Sequence, residues 1–163
     1  MAVRLHRQRL NGKLPLETET ASPASISGWF QGKVPFAVHL PPYDEIPSQE
    51  LPFQIEGARL VSFRKDAAGY IAYRAGGRPV SLITLPTPIA PPPQGKGVVM
   101  GKLTIFYDNL DEFHVITWSG PRSGLTYALV TDLEHPSQAC ILCHAGSNAK
   151  DRNIMRDLVR KNL

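Results

Sequence analysis

Proline constrains this chain more than any other residue. It lacks the backbone donor that a central strand needs, and the 15 prolines here are strongly clustered. Pro35, Pro41, Pro42, Pro47 and Pro52 crowd one stretch, and a second block, "PTPIAPPPQGKG", runs from Pro86 to Gly97. Neither block can sit inside a sheet. The first predicts an irregular connection wrapping the surface, the second a loop or edge excursion.

The segments that escape proline read as strands. "ARLVSFRK" (58–65) alternates loosely. "GYIAYRAGG" (69–77) follows "DAAG", and Gly76-Gly77 is a two-residue hairpin signal leading into "RPVSLITL" (78–85). Beyond the second block, "VVMGKLTIFY" (98–107), "EFHVITWSG" (112–120) and "LTYALVTDL" (125–133) are separated by turn residues.

Helices frame these strands. Residues 2–12 predict a short basic helix ended by Asn11-Gly12. In "SPASISGWFQGK" Ser22 is a good N-cap and Pro23 suits the first helical position. Ile26, Trp29 and Phe30 give that helix an apolar face, and Gly32 would close it. "NAKDRNIMRDLVRKNL" predicts a terminal helix with Asn148 as cap and Ile154, Met155, Leu158 and Val159 inward. The fold expected is α+β: one domain over 1–163, a single antiparallel sheet of about six strands, an early short helix and a C-terminal helix.

With 42% hydrophobic and 20% charged residues the composition is that of a globular domain. No apolar run is long enough to span a membrane. "AVRLHRQRLNGK" after Met1 has no apolar core of a secretion signal. The expectation is therefore a cytoplasmic protein or the soluble part of a longer exported or anchored one. The net charge of +4 comes mainly from the two ends, with no stripe of cations and aromatics, so no nucleic-acid partner is expected. A basic N-terminal segment also suits an anionic membrane surface. No nucleophile elbow occurs, and "GKGVVMGK" lacks the spacing and the Ser/Thr of a phosphate loop, so no enzyme is expected.

Several phrases in order resemble the extracytoplasmic domain of transmembrane anti-sigma factors. They are "LHRQRLNGKLPLETETASPASISGWFQGKVPF", "EGARLVSFRKDAAGYIAYRAGGRPVSLITLP" and "EFHVITWSGPRSGLTYALVTDL", which cover roughly residues 4–133. The resemblance implies a membrane-proximal basic helix (1–12), a sensory α+β core (13–133) and an added segment (134–163). It also implies a membrane anchor through an upstream segment, and a sigma factor held by a cytoplasmic module that this sequence does not contain.

The added segment holds "QACILCHAGSNAK", with both cysteines of the chain, Cys140 and Cys143, and His144 directly after them. A disulfide would close only a two-residue loop and stabilise little. A thioredoxin-like dithiol belongs in a βαβ setting, and this sheet reads as antiparallel. Zinc could be counted on His135, Cys140, Cys143 and His144, but adjacent Cys143 and His144 reach one tetrahedral ion with difficulty. Covalent haem uses every element: two thiols add to the vinyl groups and the next histidine ligates the iron.

The expectation is one haem c, with Cys140 and Cys143 as thioether anchors and His144 as proximal ligand. Haem c is assembled outside the bacterial cytoplasmic membrane, which predicts a periplasmic site and agrees with the resemblance. Met155 leads as distal ligand and equally suits core packing. Met100, His114, His39, His135 and His6 are weaker candidates, His114 reading as a satisfied or half-exposed histidine. Trp29, Phe30, Trp118, Tyr107 and Tyr127 could wall a haem pocket, and Lys150, Arg122, Arg152 and Arg156 could pair with propionates.

The reading is a sensory domain answering to redox state or a diatomic gas, in which the terminal helix passes the change on. An electron-transfer cytochrome and a haem-free regulatory domain with a disulfide or zinc at Cys140/Cys143 stay open beside it.

Overall fold

The structure, a computed structural model, describes residues 1–40, 53–100, 103–120 and 123–133. Two helices, α1 (Ala2–Leu10) and α2 (Pro23–Phe30), precede seven strands. These are β1 (Phe53–Phe63), β2 (Asp66–Ala75), β3 (Arg78–Pro86), β4 (Lys96–Met100), β5 (Leu103–Leu110), β6 (Phe113–Ser119) and β7 (Leu125–Thr131). They form one sheet in the order β1-β2-β3-β7-β6-β5-β4, with every pairing antiparallel.

The sheet is two meanders joined in the middle. Strands β1 to β3 zigzag from one edge inward, and β4 to β7 zigzag from the other edge, so β7 lands beside β3. Their seam runs from Val80 opposite Thr131 to Pro86 opposite Leu125. Between β3 and β4 the chain must cross four strand spacings, about 19 Å. The second proline block makes that crossing. Thr87–Ile89 form a single 3-10 turn, and the residues that follow include Pro91, Pro92 and Pro93, a stiff extended run of about 3 Å per residue. The block is thus a loop, as expected, that carries the chain from the middle of the sheet to its far edge.

Both sheet faces are covered, because successive side chains point to opposite sides. One face carries Ile71, Tyr73, Val80, Leu82, Ile105, Ile116, Trp118 and Leu129, packed with Ile26 and Phe30 of α2 and with Val34 and Val38. The other carries Tyr70, Ala72, Ile83, Leu85, Val115 and Val130 against Leu5 of α1 and Leu14. The middle of β2 is buried on both sides, which explains why its sequence is apolar without alternation.

Several sequence expectations hold in detail. Ser22 Oγ accepts from Ser25 N at 3.2 Å, Pro23 opens α2, and Ile26 and Phe30 have no exposure. α2 ends at Phe30, and Gly32 follows in a left-handed conformation at φ 75°. Gly76 and Gly77 both have positive φ in the β2–β3 hairpin. The predicted strand at 98–107 is two strands, since Met100 pairs with Leu103, and the sheet has seven strands where about six were expected. Arg64 at φ 56° makes a tight turn, Phe63 pairs with Asp66, and the alanines lie inside β2. The expected terminal helix lies outside the described residues.

The basic N-terminal helix is tied to the sheet. Arg7 Nη2 lies 2.8 Å from Asp111 Oδ2 and 3.3 Å from Glu112 Oε2, and its guanidinium sits 5.4 Å from the Phe113 ring centre. Arg9 reaches Glu56 at 3.4 Å, and Glu56 also holds Arg74 at 2.6 Å. Beyond α1, the chain returns along the β1 edge, where Thr18 bridges Ala58. Gly57 sits at the register shift there with φ 153°, and a Cβ at this position would run into the Thr18 carbonyl and lie 2.9 Å from Leu16 Cδ1. Gly57→Ala should therefore cost about 2–3 kcal/mol. Urea unfolding checks this, and an unchanged midpoint would contradict the close approach.

Candidate functional site

Cys140, Cys143 and His144 lie outside the described residues, as do Met155, His135, Arg122, Lys150, Arg152 and Arg156. Among the described residues no three His, Cys, Asp or Glu side chains converge as a metal site. Met100 ends β4 and His39 is exposed.

The five aromatics expected to wall a pocket do share one sheet face. Phe30 and Trp118 belong to the buried layer beneath α2, and Trp29, Tyr107 and Tyr127 pack against it. Trp29 meets Phe30 edge to face with ring centres 5.0 Å apart. Trp118 and Tyr127, paired across β6 and β7, stack with centres 5.1 Å apart and planes 13° apart. This half of the face is less closed than the half under α2: Leu103, Tyr107, His114 and Tyr127 all keep partial exposure.

His114 sits on the same face. On β6 it alternates in phase with Ile116 and Trp118 and stacks on Tyr107 of β5, with ring centres 5.8 Å apart and planes 26° apart. Its Nδ1 lies 2.7 Å from Asn109 Oδ1 and 2.6 Å from the Tyr107 hydroxyl, and that hydroxyl donates to Asn109 Oδ1 at 2.9 Å. Asn109 Oδ1 can only accept, so Nδ1 carries the hydrogen and donates it to this oxygen pair. The lone pair is then on Nε2, which makes no hydrogen bond among the described residues. Burial lowers the pKa of His114 against a weaker opposing pull from Asp132, so the ring is neutral near pH 7. A neutral imidazole with Nδ1–H held by a carbonyl oxygen is the form that binds a metal through Nε2.

The opposite face holds a second histidine in a different state. His6 of α1 has no exposure, and its Nδ1 lies 2.7 Å from Ser81 Oγ, which lies 2.7 Å from the Tyr70 hydroxyl. The ring packs edge-on against Phe113 at 5.0 Å, and Nε2 has no partner among the described residues. A tyrosine, a serine and a histidine in a chain suggest nucleophile and base. Yet all three are buried, so no substrate reaches them, and the chain instead fastens α1 to β2 and β3. Sequence reasoning counted His6 only among the weaker candidates for an iron ligand and did not see this clamp. Ser81 and Tyr70 lie eleven positions apart on adjacent strands, and only the register brings them together.

No protein-family model, no curated protein and no solved structure matches this chain.

The His6 clamp predicts a pH dependence of stability. Burial pushes the pKa of His6 from 6.5 down to about 4, while Asp132 and Glu112 pull weakly the other way. Between these values the unfolded chain binds the proton and the folded chain does not. Stability from this group is therefore full above about pH 6.5 and falls by up to about 3 kcal/mol toward pH 4. His114 acts in the same sense. Urea midpoints measured across this range should fall more steeply for the wild type than for His6→Gln. Parallel pH profiles would contradict the assignment.

Proposed function

We propose that this chain is a haem c sensory domain of an anti-sigma-like membrane protein, facing the outer side of the cytoplasmic membrane. The observation that carries the reading is the run Cys140-x-x-Cys143-His144, which uses both cysteines of the chain. Cys140 and Cys143 would hold the porphyrin as thioethers, and His144 would be the protein's ligand to the iron. Bound haem iron would supply a one-electron couple and a centre for diatomic ligands, with Met155 the candidate for a competing protein ligand. The protein's signal is one of these two, and no catalytic residue is assigned.

Two features of the fold support the reading. The motif begins seven residues beyond Leu133, just past the end of β7, so Cys140 is tethered within about 25 Å of the sheet. One face of β5, β6 and β7 carries Tyr107, Trp118 and Tyr127, aromatic rings of the kind that pack against a flat apolar group. The anti-sigma component rests on the ordered phrases. Their residues fall at demanding positions: Phe30 under the sheet, Gly57 against Thr18, and Gly76-Gly77 in a hairpin.

The test is a pyridine haemochrome spectrum of protein exported from a host with the cytochrome c maturation machinery. A c-type α-band should survive acid-acetone extraction and vanish in Cys140→Ala/Cys143→Ala. No covalent haem in the wild type would sink the reading and leave zinc or a disulfide at these cysteines, which metal analysis and thiol titration would separate. A loaded iron indifferent to CO, passing electrons with no conformational consequence, would favour an electron-transfer cytochrome.

A further inference from the structure

We propose that the cleft between α1, the proline run and the sheet binds a small ammonium ligand with an apolar body, its charge held by Asp108. The site lies wholly within the described residues and stands independently of the cysteine motif.

The cleft has a volume of about 270 Å3 on the sheet face that α1 covers. Register sets its floor. Ile83, Ala128 and Thr117 lie opposite one another across β3, β7 and β6, and the next row on this face pairs Leu85 with Thr126. Ala128 is the smallest side chain of its row and leaves space between its larger neighbours. Ala2 and Val3 of α1 and the rings of Pro91, Pro92 and Pro93 supply the walls. A proline ring is fixed to its own backbone, so no side chain of this run can rotate in to fill the space.

The polar groups around that apolar floor decide the ligand. Asp108 lines the cleft and pairs across the sheet with Val115, which also lines it. The carboxylate is partly buried, and Oδ1 accepts from Asn109 N at 2.9 Å. Asp111, Glu112 and Asp132 each meet an arginine, whereas Asp108 has no ion pair among the described residues. The side chains of Thr117 and Gln94 also line the cleft and make no hydrogen bond among the described residues.

An ammonium group has three donors and no acceptor. Asp108, the Thr117 hydroxyl and the Gln94 amide oxygen offer it acceptors around one cleft, and the carboxylate adds charge. An anion would be repelled by Asp108. A neutral apolar ligand would cover that carboxylate and leave it unpaired, which costs affinity. At about 30 Å3 for each water displaced, the volume suits a body of on the order of ten non-hydrogen atoms. The ligand class is therefore an alkyl or aryl amine and not a peptide or a polyanion.

The experiment titrates the full chain, with isotope-labelled amides and methyl groups, with n-hexylammonium chloride and separately with sodium hexanoate. Hexylammonium should bind saturably and shift the resonances of Ile83, Leu85, Val115 and Ala128. Those of Ile26, Ile71 and Leu129, on the opposite face, should stay in place. Hexanoate at the same concentration should shift neither set. Asp108→Asn alters a partly exposed group and should weaken hexylammonium at least about tenfold while keeping the native spectrum. Ala128→Leu extends a side chain into the cleft and should abolish binding; if it fails to fold, Asp108→Asn still decides. Shifts that do not saturate, that fall on the opposite face, or that hexanoate reproduces would overturn the proposal. So would undiminished hexylammonium binding by Asp108→Asn or by a folded Ala128→Leu.

Discussion

The pairing of β3 with β7 is the constraint on which the rest depends. Each meander alone leaves a strand edge open, and an isolated three-stranded piece buries little. Seven residue pairs from Val80–Thr131 to Pro86–Leu125 turn two small sheets into one wide one with a continuous core on both faces. This long-range pairing is possible because the proline block delivers the chain to the far edge before β4 begins. Stiff, extended residues cross that distance at a lower entropic cost than a flexible loop of the same span. The proline block therefore shapes the topology as well as excluding strands.

From that seam follow two chemically different faces. α1 lies on one and is locked by the Tyr70–Ser81–His6 chain and by Arg7 on Asp111 and Glu112. α2 lies on the other but covers only part of it, and the aromatic strip of β5 to β7 continues beyond. The same residue type thus sits in two settings. His6 is neutral because it is sealed, and its role is to hold a helix. His114 is neutral because it is partly buried, and Asn109 and Tyr107 hold its ring through Nδ1.

Much of the architecture was legible from local chemistry. The Ser22-Pro23 start of α2, its Ile26/Phe30 face and the Gly76-Gly77 hairpin are short-range features that spacing reveals. The split of 98–107 into two strands was hidden because both halves are equally strand-prone and "MGK" is a weak turn signal. The β3-to-β4 crossover was hidden because proline content excludes structure without saying where the chain goes next. The site divides in the same way. Cys140, Cys143 and His144 announce themselves by spacing. The Asn109–His114 contact joins two strands across a hairpin, and the pairing of His114 with Thr131 joins residues seventeen apart. Register created that neighbourhood, and no periodicity encodes it.

The central claim is that the β3–β7 seam joins two meanders into one sheet. Amide hydrogen exchange followed by nuclear magnetic resonance addresses it directly. The paired amides between Val80 and Leu85 and between Leu125 and Thr131 should be among the slowest to exchange. Fast exchange along the seam, with protection confined to one meander, would contradict the account.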